Sequence, residues 1–244
     1  MWLWFSRLGS PKWFYEQAGR WLPWTWALTL LLFSAGCALS LLFSPPDYQQ
    51  GETVRIMYLH VPAAFLSMAC YLTMAIASVI ALVWRMKMAF AVARSCAPIG
   101  AAMTALALFT GAVWGKPIWG TWWEWDARLT SELVLLFLYL GYIALHESIG
   151  EQNQADKAAA VLAIVGVVNL PIIHFSVDWW NTLHQGASIS RLRKPAIDAS
   201  MLWPLFTMLA AFFAFFAAAL MSRVRNEILK REAASRWVRE VVKA

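Results

Sequence analysis

Six stretches of this chain run without Asp, Glu, Lys or Arg for so long that they decide its class. They cover residues 21–46, 56–84, 95–115, 133–146, 158–177 and 199–222. A bilayer core of about 30 Å takes about 20 helical residues at 1.5 Å each, so five of the six cross it unaided. The fourth is interrupted only by Glu132, and starting it at Leu129 gives 18 residues, still within the range for a span. With 61% hydrophobic and 14% charged residues, the chain is too apolar for a water-soluble domain, where about half and about a quarter are usual. The expected fold is an all-α integral membrane protein, one polytopic domain over residues 1–244. Its spans are expected near 22–43, 61–84, 95–114, 129–147, 158–178 and 200–222. Six spans in 244 residues leave no length for a separate soluble catalytic domain, so the chemistry belongs to helix ends and loops.

The first apolar stretch is longer than a signal-peptide core and is followed by no small-residue cleavage site, so it reads as a retained span. Orientation follows from the basic residues, because Lys and Arg in short loops stay on the cytoplasmic side. One side collects fourteen: Arg7, Lys12 and Arg20, then Arg85, Lys87 and Arg94, then Lys157, then seven from Arg223 to Lys243. The other side has six: Arg55, Lys116, Arg128, Arg191, Arg193 and Lys194. Both termini are therefore expected in the cytoplasm, with loops 44–60, 115–128 and 179–199 outside. The net charge of +6 then reads as an orientation signal and an attraction to anionic lipid heads; nothing calls for nucleic acid.

Two chemistries are excluded by spacing. Cys37, Cys70 and Cys96 lie 33 and 26 residues apart inside predicted spans, so they form neither a CxxC pair nor a CxxCH haem-attachment motif. Gly111-Ala-Val-Trp-Gly115-Lys116 resembles a phosphate loop, but has three intervening residues where four are required, and Pro117 replaces the magnesium-binding Ser or Thr. ATP hydrolysis by that route is excluded. The tail from Arg223, with Val224, Ile228, Trp237 and Val241 among charges, suits an amphipathic helix on the cytoplasmic membrane surface. The first twenty residues, with Trp2, Trp4, Phe5, Trp13, Phe14 and Tyr15, read the same way. Anchoring is the plain reading of both, and docking of a cytoplasmic partner the sharper one.

The chemistry sits in the external loops. Trp114-Gly-Lys-Pro-Ile-Trp-Gly-Thr-Trp-Trp-Glu-Trp-Asp-Ala-Arg128 holds five of the sixteen tryptophans. An interfacial aromatic belt accounts for one or two of them. Trp119, Trp122 and Trp123 also fall at i, i+3 and i+4, so a short surface helix would present them as one shelf. A shelf of indoles, with Trp114 and Trp125 beside it, suits a flat apolar ligand with polar edges. Asp126 would fix the loop by accepting an N–H. Arg128 would either pair with Glu132 at i, i+4 or clamp a ligand carboxylate with its guanidinium fork.

Of the four histidines, His60 before Val61-Pro62 is expected at the external mouth of the second span, and His184 in the third external loop. His146 lies at the opposite end of the fourth span, and His174 inside the fifth. His60 and His184 share one side of the membrane with the tryptophans. Together they suggest axial ligands to a haem iron bedded on the indoles, with Arg55 and Arg128 facing its propionates.

The segment Trp119-Gly-Thr-Trp-Trp-Glu-Trp-Asp-Ala-Arg-Leu-Thr130 resembles the signature of the tryptophan-rich (WWD) haem-handling membrane proteins of cytochrome c biogenesis. With His60-Val-Pro62 and Ser176-Val-Asp-Trp-Trp-Asn-Thr-Leu-His-Gln185, nearly the whole chain resembles the haem exporter protein C (CcmC) family among them. The resemblance implies a protein of the bacterial inner membrane that holds non-covalent haem b at the periplasmic face. It implies ligation by His60 and His184, a platform of Trp114, Trp119, Trp122, Trp123, Trp125 and Asp126, and propionates on Arg55 and Arg128. It further implies delivery of haem to the membrane-anchored chaperone CcmE, beside an ABC transporter of CcmA and CcmB with the small protein CcmD. The chain itself would be no enzyme, since the ATPase is a partner. Larger relatives with this signature act as haem lyases, but the shortness of this chain and its lack of further histidines favour the handling role.

Two other classes stand beside this reading. A membrane b-type cytochrome would need histidines paired at matched depth inside facing spans, and only His174 lies well inside one. A solute transporter would use a discontinuous helix, for which Asn169-Leu-Pro171 is the feature to watch, although such residues more often only kink a helix. The cluster Arg191, Arg193 and Lys194 runs against the positive-inside trend and is a candidate meeting point for the chaperone.

Overall fold

The computed structural model describes residues 9–184, Gly186 and 197–243. Residues 1–8, among them Trp2, Trp4, Phe5 and Arg7, and the cluster Arg191, Arg193, Lys194 lie outside the described residues.

Eight α-helices follow one another among the described residues. Helix α1 (Pro11–Ala38) starts where Ser10 accepts the Trp13 N–H and Pro11 needs no partner for its nitrogen, and it widens into a π-helical turn at Leu39–Phe43. A 3-10 turn, Glu52–Ile56, leads into α2 (Met57–Trp84), and α3 spans Lys87–Trp119. Helix α4 (Ala127–Ser148) is capped by Asp126, and α5 (Gln152–Gly166) by Glu151. Helices α6 (Asn169–Trp179), α7 (Ala199–Arg231) and the short α8 (Arg236–Lys243) complete the chain.

Six helical segments are long and apolar enough to cross a membrane: Pro11–Phe43, Glu52–Trp84, Lys87–Trp119, Ala127–Ser148, Gln152–Trp179 and Ala199–Arg231. The protein is thus a multi-pass membrane protein. Their number agrees with the expected six, and each runs past the boundaries that charge alone suggested.

The fifth span is two helices, α5 and α6, joined at Val167 and Val168. Pro171 falls in the first turn of α6, where its missing N–H costs no hydrogen bond. The buried Asn169 amide donates to the Ser131 carbonyl at 2.9 Å, which pins the break to α4. Both residues thereby have structural work, as the plain kink reading expects.

Helix α2 packs along α3, and α1 along α7; α4 lies against α3, α5 and α6. The core between them is filled by Tyr58, Leu66, Tyr71, Met74, Leu135 and Tyr139. Gly100 on α3 allows this, because a Cβ there would overlap the Tyr139 ring. The Tyr139 hydroxyl in turn donates to the Ser67 carbonyl at 2.7 Å, so a buried polar group is satisfied where three helices meet. Outward, Leu30, Leu31, Val83, Phe109, Phe137 and Val165 are exposed, as a face against hydrocarbon requires.

The end of the bundle bearing both termini is tied by charge. Arg231 holds Asp156 at 2.6 and 2.8 Å, Asp156 also meets His146 Nε2 at 2.8 Å, and Glu227 accepts from Arg231 and Arg94. The expected surface helix from Arg223 is not formed as such. Residues 223–231 continue α7, because Val224 and Ile228 are buried against Met88 beside Phe14 and Trp237. Likewise Trp13, Phe14 and Tyr15 belong to α1, with Tyr15 against Trp237 and the Arg225 guanidinium 4.2 Å over the Tyr15 ring.

Candidate functional site

A cavity of about 280 Å³ opens at the end of the bundle opposite the termini. Its walls come from the start of α2, the end of α3, the start of α4 and the segments following α1 and α6. It lies at the small end of ligand pockets, typically about 300–1,000 Å³.

His60 sits one turn inside α2, deeper than the mouth expected of it, because the helix already begins at Met57. Its Nδ1 lies 3.0 Å from the Ala107 carbonyl and 3.2 Å from the Thr110 hydroxyl of α3. A carbonyl only accepts, so Nδ1 carries the proton and Nε2 keeps its lone pair for a ligand. Gly111 makes room for this ring: a Cβ there would stand 3.0 Å from His60 Cε1. Four residues on, Gly115 does the same for Trp119, whose ring a Cβ would meet at 2.7 Å. The segment dismissed as a phosphate loop is thus a pair of vacated positions on the cavity face of α3.

Helix α3 stops at Trp119. Gly120 adopts a left-handed conformation, φ 76°, and its N–H returns to the Lys116 carbonyl. Residues 120–126 are therefore irregular, and the expected Trp-rich surface helix does not form. The Thr121 hydroxyl donates to the Trp123 carbonyl at 2.9 Å and folds the segment back on itself. The tryptophans divide accordingly. Trp114, Trp119 and Trp123 line the cavity, whereas Trp122 and Trp125 are exposed and outside its wall. Trp122 lies under the Lys116 ammonium, and Trp125 meets the edge of Trp123 at 5.4 Å. The indole Nε1 of Trp123 is buried without a hydrogen-bond partner.

Asp126 is a buried carboxylate with two tasks. Its Oδ1 accepts the Leu129 N–H at 2.8 Å and caps α4, and its Oδ2 accepts the Thr182 hydroxyl. Thr182 Oγ1 accepts the His184 N–H at 3.0 Å, so a single carboxylate anchors the backbone that carries His184. The His184 ring then lies 6.4 Å from His60 and 6.2 Å from Trp119, centroid to centroid, and His60 lies 5.7 Å from Trp114.

The two candidate arginines part company. Arg128 lines the cavity and donates to the Ile173 carbonyl at 3.3 Å. The Arg128–Glu132 ion pair allowed by spacing is not formed among the described residues. Glu132 turns instead to α2, where it accepts the Ser67 hydroxyl at 2.8 Å in the cavity wall. Arg55 lies outside that wall, held by Glu52 and the Ser40 carbonyl. Gln50 was not singled out by sequence reasoning, yet it accepts the Trp114 indole N–H at 2.9 Å and lines the cavity. The Asp47 side chain holds it there by accepting the Gln49 and Gln50 N–H groups. An Asp at the start of a Gly-terminated turn, Asp47 to Gly51, was the available signal. His174 packs on Phe175 away from the cavity, and His146 belongs to the charged network at the other end.

Two histidines, three indoles and a guanidinium around one cavity form a donor set suited to a flat acidic metallo-ligand. The sequence matches the family described as heme exporter protein C over residues 4–239. It is 51% identical over 239 residues to the heme exporter protein C of Haemophilus influenzae, covering 98% of this chain and 97% of the relative. It is 48% identical over 242 residues to that of Escherichia coli K12, covering 99% and 98%, and 42% identical over 232 residues to that of Paracoccus denitrificans, covering 95% and 96%. With matches of this length and identity, the chain belongs to the heme exporter protein C family.

Proposed function

We propose that this chain holds haem b, non-covalently, between His60 and His184 at the periplasmic face of the bacterial inner membrane. From there it passes the haem to the periplasmic chaperone CcmE during c-type cytochrome biogenesis, beside an ABC transporter of CcmA and CcmB with the small protein CcmD. The chain performs no covalent chemistry of its own; ATP hydrolysis belongs to the transporter.

The observation that carries this reading is the pair of imidazoles across the cavity. Two imidazoles can share one iron when their ligating nitrogens face each other across a narrow gap. His60 and His184 are 6.4 Å apart. The walls also fit the cargo. Trp114 and Trp119 offer apolar faces, Arg128 a guanidinium, and Trp123 an unpaired indole N–H for the acidic edge. The bias of fourteen basic residues against six supports termini in the cytoplasm and the cavity outside. One ligand, His184, rides on a loop tethered through Thr182, which suits a site that must let its cargo go.

The test is the visible spectrum of detergent-purified protein beside His60→Ala and His184→Ala variants at equal expression. A Soret band that shifts or vanishes in both variants supports the two-histidine site. A band indifferent to both substitutions overturns it and moves suspicion to His174.

A further inference from the structure

A second cavity lies at the opposite end of the bundle, where α3 begins and α4 and α7 end. Of about 280 Å³, it is lined by Arg94, Tyr142, His146, Arg223, Asn226 and Lys230, with Glu147 and Glu227. Its charges do not cancel. Glu227 is already engaged by Arg94 at 2.9 Å and Arg231 at 2.6 Å. Arg223 and Lys230, both exposed, form no ion pair among the described residues, and the other carboxylate of the wall, Glu147, is exposed too. His146 is 6% exposed; its Nε2 is taken by Asp156, and its Nδ1 has no partner. A buried ring nitrogen without a partner in the wall of a net-cationic cavity marks a place for something to hydrogen-bond.

This cavity does not stand alone. An apolar groove of about 340 Å³ shares Pro98 and Arg223 with it and continues along α3 and α7 past Ile99, Met103, Phe215 and Ala219 to Trp26. Arg223 is the first charged residue after the apolar run 199–222, so the socket stands where hydrocarbon gives way to headgroups and the groove lies within the span. A ligand filling both parts needs an acidic head and an apolar body. Cationic pockets between spans at a membrane surface recognise anionic lipid heads on this principle.

We infer that the composite site binds an acidic phospholipid of the leaflet at the termini-bearing end. The phosphate is held by Arg223 and Lys230 with the Asn226 amide as a donor beside them, His146 Nδ1 accepts from a headgroup hydroxyl while its Nε2–H goes to Asp156, and one acyl chain lies along the groove. The inference rests on the membrane embedding of the six helices and is independent of the haem reading, since the two cavities lie at opposite ends.

Native mass spectrometry of the full chain, equilibrated with equal amounts of dioleoyl phosphatidylglycerol and dioleoyl phosphatidylcholine, tests it. One phosphatidylglycerol is expected to remain bound, about fivefold or more over phosphatidylcholine. The Arg223→Glu/Lys230→Glu variant is expected to lose that preference, retaining the two lipids about equally, because both basic side chains that attract the anionic head are gone. Lys157→Glu/Arg239→Glu makes the same charge change at positions of the same end that line neither the socket nor the groove, and is expected to retain the lipid. Ala219→Trp fills the groove without touching the socket and is expected to release the lipid as well. Equal retention of the two lipids by the parent protein overturns the inference, as does equal loss in the control variant. Inorganic phosphate bound through Arg223 and Lys230, with lipid retention indifferent to Ala219→Trp, likewise overturns it and leaves a plain phosphate site.

Discussion

On the proposed reading of the site, the hydrogen bond from Thr182 to Asp126 is a tether whose removal has a calculable effect on haem binding. A hydroxyl donated to a buried carboxylate contributes about 1.5–3 kcal/mol. If this bond keeps His184 over the cavity, losing it lets the segment leave, and apparent affinity falls with the fraction of molecules still in place. At 1.4 kcal/mol per decade, that is a loss of about 10- to 150-fold for Thr182→Val, which keeps the shape of the side chain. Thr182→Ser keeps the hydroxyl, both toward Asp126 and toward the His184 N–H, and is expected to bind within about twofold of the parent. Asp126→Ala removes the same tether and also the cap on Leu129, so it is expected to lower stability by a further 1 kcal/mol or so. The assay is a Soret titration of apoprotein with haem for the two single variants and the double. Because both substitutions cut one tether, the double variant should bind no more weakly than Asp126→Ala. Thr182→Val at parental affinity, or two losses that simply add, would refute the tether.

Three further outcomes follow from the same geometry. Trp119→Ala and Trp123→Ala, which remove wall residues, are expected to weaken haem binding about tenfold or more, and Trp122→Ala and Trp125→Ala to leave it within about twofold, by the same titration. Gly111→Ala places a methyl 3.0 Å from His60 Cε1 and crowds the ring off its Ala107 bond, an overpacking of about 1 kcal/mol or more that should read as affinity reduced about five- to tenfold. Asp156→Ala leaves His146 Nε2 without its acceptor and Arg231 with Glu227 alone at the other end; a loss of about 1–3 kcal/mol should lower the thermal midpoint while haem affinity stays unchanged.

The spans were legible because hydrocarbon imposes a crude rule: about twenty residues without charge. Their ends were not, because charge marks where a helix leaves the bilayer and not where it stops. The continuation of α7 to Arg231 shows the difference. Val224 and Ile228 read as one face of a surface helix, but Met88 on α3 supplies an apolar partner, and burial there favours prolonging the span. The break at Val167 and Val168 was visible in Asn169 and Pro171, but its stabilisation depends on a carbonyl of α4, which no local pattern contains.

The site shows the same division between composition and geometry. Histidines and tryptophans announced themselves by rarity and clustering, and the wall holds His60, His184, Trp114, Trp119, Trp123 and Arg128. The helical spacing of Trp119, Trp122 and Trp123 suggested a shelf, yet Gly120 lies between them, and a left-handed glycine ends a helix whatever periodicity surrounds it. That termination sorts the tryptophans. Trp119, still on α3, is fixed against His184 by the space Gly115 leaves, and the chain then turns so that Trp123 faces inward and Trp122 and Trp125 outward. It also delivers Asp126 to the head of α4, where its carboxylate caps the helix and reaches Thr182 at once. A continuous surface helix through 119–126 would present the indoles on one face but would carry Asp126 away from the α4 terminus. The glycine gives up the regular shelf and, in exchange, secures the histidine that closes the cavity.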